Sequence, residues 1–112
     1  MSATVLSRRV LTAWARAVSL LATLVMYAAL AVAAVLALHI VLVALDANHA
    51  NAIVTTVRRM ANWLVGPFQE LFTPPDMKQR VAINDGLAAA VYLAAGAAVS
   101  RGIRMLGGRL AR

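Results

Sequence analysis

The chain has 112 residues, 62% of them hydrophobic and only 13% charged, with 11 Lys+Arg against 4 Asp+Glu and a formal charge of +7. An ordinary soluble domain is nearer half apolar and a quarter charged, so this balance argues against a conventional water-soluble core. The absence of cysteine excludes disulfides, thiolate metal sites and Cys nucleophiles. The basic residues flank apolar runs instead of lying among aromatic residues on one face, which favours membrane topology over nucleic-acid binding.

Residues 1–17 form a basic flank with Arg8, Arg9 and Arg16 and no acid. Residues 18–45 then carry no formal charge and are expected to form a first transmembrane helix, because about 20 residues suffice to cross the hydrocarbon. A secretory signal peptide is the rival reading, with Ala50-Asn51-Ala52 resembling a cleavage site. Its apolar region should be only about 7–15 residues, so the run is expected to be retained.

Residues 46–76 read as a connector. Asp46, Asn48 and Asn51 supply turn and cap formers. Ile53, Val57, Met60, Leu64, Phe68 and Leu71 then recur at steps of three or four, the spacing of one helix face. An amphipathic helix over 51–72 is expected in the membrane interface, bent near Gly66-Pro67. Thr73-Pro74-Pro75 ends it. Asp76 is placed to cap the following helix, with Gln79 positioned for a capping box. Trp14 and Trp63 suit interfacial anchoring.

A helix over 77–105 should contain the second span, at about 81–100, followed by a basic tail over 106–112. The two flanks hold seven Arg and no acid, while the connector from Asp46 to Asp85 holds four basic and four acidic residues. The positive-inside rule therefore puts both termini in the cytoplasm of a cell (inner or plasma) membrane protein. The expected class is all-α: an integral membrane hairpin of two transmembrane helices with an interfacial amphipathic helix between them.

Gly86, Ala90, Ala94, Ala98 and Gly102 place a small residue at every fourth position of the second span. Such a ridge lets another backbone approach closely and is read as the main helix-packing face, toward another membrane protein or a second copy. Ala29, Ala33 and Ala37 offer a similar stripe on the first. His39 and Asp85 are the ionisable groups nearest the hydrocarbon, both in its outer third, and form a possible intramembrane polar pair. A proton relay would need more than one such pair. His39, Asp46 and His49 straddle a helix end and are weak as a metal set, so no metal or cofactor is expected. No nucleophile, base and orienting group can be assembled, and catalysis and a small-molecule substrate are not expected.

The order of parts resembles the YggT family of small bacterial and plastid membrane proteins. The matching stretches are Asp46-Ala47-Asn48-His49-Ala50-Asn51-Ala52-Ile53-Val54, Trp63-Leu64-Val65-Gly66-Pro67-Phe68 and Leu71-Phe72-Thr73-Pro74, covering about Leu36–Gly102. Ala52 stands where the family usually has Pro, and Gln69-Glu70 replace a basic residue expected after Pro67. The resemblance implies a non-catalytic part in envelope processes, including cell division and, in plastids, haem attachment to a cytochrome. Residue patterns alone lead to a structural or adaptor role, with a holin-like pore former as the alternative.

Overall fold

The computed structural model describes residues 3–111, with side chains described for 7–108. Three α-helices follow in order: α1 over Ala3–Ala44, α2 over Ala52–Val65 and α3 over Met77–Ala111, with a 3-10 turn at Gly66–Phe68. No strand occurs among the described residues. Contacts between α1 and α3 run from Asp46–Lys78 through His39–Asp85 and Ala22–Ser100 to Ser19–Arg104, so the two helices form an antiparallel hairpin. The basic flanks share one end and the connector occupies the other. The radius of gyration is 20.0 Å, where a compact soluble chain of this length would have about 13 Å.

No Gly or Pro precedes Gly66, and the backbone has no reason to break between the basic flank and the first apolar run. α1 accordingly runs through both as one 42-residue helix, about 63 Å long. The expected boundary at residue 18 is thus not a structural one. At its far end the Ala47 amide donates to Leu42 O and the Asp46 amide to Val43 O, with Asp46 at φ 52°. This is a Schellman stop, using one of the few non-glycine residues that tolerate a left-handed backbone.

The connector helix is shorter than the apolar stripe suggests. Asn51 caps α2 by accepting from the Ile53 amide, and Gly66, at φ 48°, ends it after Val65, seven residues short of residue 72. Proline 67 then removes the donor that would continue the ladder. Asp76 accepts from the Lys78 amide and opens α3, but no bond from Gln79 completes a capping box. α3 continues past residue 105 through Gly107-Gly108 to Ala111. The side chain of Arg109 and all of Arg112 lie outside the described residues.

The α1 side of the hairpin seam is Val18, Ala22, Val25, Ala29, Val32, Leu36, His39 and Val43, all buried or half-buried, at alternating steps of four and three. That is the heptad spacing of two helices that stay in contact along their length. Opposite it lie Asp85, Ala88, Tyr92, Gly96, Ser100, Ile103 and Gly107. A Cβ on Gly96 would overlap the Cβ of Ala29, and one on Gly107 would overlap the methyls of Val18. Those two glycines set the closest approach.

The ridge Gly86, Ala90, Ala94, Ala98 and Gly102 is therefore not the packing face inside the hairpin. Ala90, Ala94, Ala98 and Gly102 each follow a seam residue (Ala88, Tyr92, Gly96 and Ser100) by two positions, about 200° around the helix, so the ridge faces away from α1. Gly86 is half-buried, Ala90, Ala94, Ala98 and Gly102 are exposed, and a Cβ on Gly102 would meet nothing. The α1 stripe starts on the seam and drifts off it by about 40° at each step of four: Ala29 is buried, Ala33 half-buried and Ala37 exposed.

Both long helices have the length and apolar composition to cross a membrane. Only 17% of the apolar window in α1 and 22% of that in α3 is buried within the protein, whereas the core helix of a soluble protein is mostly buried. Leu20, Leu24, Tyr27, Leu30, Val91 and Val99 are among the large apolar side chains left outside. In water, such an unbroken apolar belt would drive association.

α2 does not lie free of the hairpin. Val57, Ala61 and Val65 are buried, and Ala61 and Val65 share a cluster with Leu36 and Ala88, one turn beyond His39 and Asp85. Leu64 and Phe68 pack against the same cluster. Ile53, Met60 and Leu71 face outward, as does Trp63 at 82% exposure. The six-residue stripe thus divides: one flank covers the hairpin and the other is left bare. Trp14, near the opposite end, is also exposed.

Candidate functional site

The connector doubles back against α1 and α3 and encloses a cavity of about 470 Å³ at its end of the hairpin. All four carboxylates of the chain line it, Asp46, Glu70, Asp76 and Asp85, together with both histidines and Arg58, Lys78 and Arg80. Their separation in sequence hides this. Asp46 ends α1, Glu70 follows the 3-10 turn, Asp76 caps α3, and Asp85 lies two turns into α3.

His39 and Asp85, 5% and 4% exposed, are brought together here, with Nδ1 of the imidazole 2.5 Å from Oδ2 of the carboxylate. Both positions belong to the helix seam, so the spacing that packs the hairpin also joins these two groups. Nearer the surface, Lys78 Nζ donates to Asp46 Oδ2 at 3.0 Å and Arg58 Nη1 donates to His49 Nδ1 at 3.2 Å. Both contacts are exposed and contribute little to stability. Arg80 Nη2 donates to Pro74 O, while its buried Nε has no partner among the described residues.

The cavity wall depends on Asn84, which is 1% exposed. Its amide Nδ2 donates to Gln69 O and Phe72 O, and its Oδ1 accepts from the Phe72 amide. One side chain thus satisfies three backbone groups in a segment with no ladder of its own. Tyr92 adds a fourth bond, its hydroxyl donating to Leu64 O at 2.8 Å near the end of α2. Asn84→Leu should free the turn at a cost of roughly 2–3 kcal/mol, since it removes three part-buried hydrogen bonds of about 0.5–1.5 kcal/mol each. Hydrogen exchange is the direct check: the Phe72 amide should lose protection while the α1–α3 seam keeps it. Unchanged exchange at Phe72 would show that Asn84 does not hold the turn.

A second polar cluster sits near the opposite end. Ser100 donates to Ala22 O, and Arg104 donates to Ser19 Oγ at 3.1 Å and Thr23 Oγ1 at 3.0 Å. These bonds fix the register of the hairpin. Asn84, Tyr92, Ser100 and Arg104 are invisible to motif reading, since each acts on a backbone or hydroxyl distant in sequence. His39, Asp46 and His49 all line the cavity, yet no three His, Asp or Glu side chains are close enough to hold a metal ion among the described residues.

Comparison with known proteins finds no matching family model, curated protein or solved structure. The resemblance to the YggT family therefore rests on the quoted stretches alone.

Proposed function

We propose that this is a non-catalytic integral membrane protein that serves as a structural or adaptor component in envelope processes, as the YggT resemblance also suggests. The observation that carries this reading is the uncovered ridge of Ala90, Ala94, Ala98 and Gly102. α1 packs on the Gly96 face and leaves a second close-approach surface facing the bilayer. In lipid, association depends on such surfaces, because tails are as apolar as side chains and burial alone gives no driving force. The occupant would be a transmembrane helix of another membrane protein or of a second copy.

A holin-like pore finds less support in the same geometry. The polar groups collect at the two ends of the hairpin, and the seam between Asp85 and Ser100 is apolar apart from Tyr92.

Ala94→Leu or Ala98→Leu should abolish crosslinking of the chain to its partner, or to itself, in native membranes. Val99→Leu, exposed and about 100° or more around the helix from Ala94 and Ala98, should leave it intact. Equal tolerance of all three would remove the ridge from the account, and loss of membrane potential on expression would favour the pore.

A further inference from the structure

We infer that the connector-end cavity is a binding site for a primary ammonium group, carried by an ethanolamine lipid headgroup or by a free small amine. The chemistry of its floor selects that class. Asp85 engages His39 Nδ1 through one oxygen only, Oδ2. The second carboxylate oxygen, Asp85 Oδ1, is left to accept from whatever enters the cavity. Oδ1 has no hydrogen-bond partner among the described residues and is not sealed from solvent. A molecule that completes the floor must supply donors.

Charge narrows the class further. The cavity lining holds three Arg or Lys against four carboxylates, a formal −1. With the chain at +7, the rest carries +8. The one negative region of a basic protein is thus concave and has a buried carboxylate at its base. Water could donate to the same oxygen, but it brings no charge to a carboxylate that is 4% exposed. An ammonium brings both charge and three donors. The volume of about 470 Å³ is in the range of small-molecule sites and far beyond one water. Arg58 and Arg80 in the wall suit a ligand whose ammonium is tethered to a phosphate.

The lipid source requires the membrane reading above; the free amine does not, and neither depends on the ridge. The test uses the full chain purified in mild detergent. Native mass spectrometry should show phosphatidylethanolamine retained roughly tenfold over phosphatidylcholine of the same acyl chains, since the choline headgroup has no N–H to donate. Asp85→Asn should remove that preference. Nitrogen NMR of labelled histidine, with His39 assigned by His49→Gln, supplies a measurement that survives misfolding of Asp85→Asn. Addition of phosphatidylethanolamine, or of ethylammonium, should shift His39 Nε2 in the unsubstituted protein. A shift with ethylammonium and no lipid preference assigns the site to a free amine. Equal retention of both lipids together with an unmoved Nε2 overturns the proposal and leaves the cavity to water.

Discussion

His39→Leu is expected to destabilise the hairpin by about 3–5 kcal/mol, and adding Asp85→Asn should recover much of that loss. The first substitution removes the donor from a carboxylate that is 4% exposed and held at the seam between α1 and α3. The second replaces that stranded charge by a neutral amide of nearly the same shape. Asp85→Asn alone should cost less than His39→Leu alone, because it removes the buried carboxylate instead of leaving it without a partner. Thermal unfolding in detergent, followed by circular dichroism, gives the order. If the double variant is less stable than His39→Leu by the full cost of Asp85→Asn, the two residues are not energetically coupled.

The second large effect lies at Gly96. Gly96→Ala should cost about 1–3 kcal/mol and Gly96→Leu more, since the new Cβ collides with Ala29 Cβ, which cannot swing aside. The bond from Ser100 to Ala22 O, one turn away, should weaken as the helices part. Ala29→Gly combined with Gly96→Ala should recover part of the loss by restoring the approach. Gly102→Ala is the contrasting case. Its Cβ would meet nothing, so the better helix propensity of Ala should leave stability unchanged or raise it by up to about 1 kcal/mol. A loss at Gly102 equal to that at Gly96 would mean that α1 packs on the ridge after all. Unfolding of the two single variants separates these outcomes.

The elements were legible in the sequence because each depends on neighbouring residues. Uncharged length marks α1 and α3, Asn51 and Asp76 mark helix starts, and Gly66-Pro67 marks the end of α2. Their packing was harder to read because the deciding patterns are subtler than composition. A chain rich in Ala and Gly offers small residues at many spacings, and a step of four is the most visible. On α1 the seam instead alternates four and three, which keeps it on one side of a slightly supercoiled helix. Ala29 belongs to that alternation, and Gly96 becomes special only because it lies against Ala29.

The cavity was half legible. His39 and Asp85 stand out as ionisable residues beside apolar runs, and similar depths in two spans make their meeting geometrically reasonable. Nothing local indicates that Asp46, Glu70 and Asp76 converge on the same space, because that follows from the connector folding back onto the hairpin. Asn84 carries no motif, yet its three bonds to Gln69 and Phe72 hold that fold. The amphipathic stripe of α2 identified a helix with an apolar face. It could not say whether that face meets lipid or protein, since both ask for the same side chains.

Membrane topology is the central claim, and cysteine accessibility tests it most directly because the chain contributes no background thiol. Thr73→Cys and Gly108→Cys place single exposed probes at the connector end and at the basic end of the hairpin. In intact cells a membrane-impermeant maleimide should label position 73 at once and position 108 only after permeabilisation, as seven flanking Arg against a balanced connector require. Labelling of position 108 in intact cells, or of position 73 only after permeabilisation, would contradict the account.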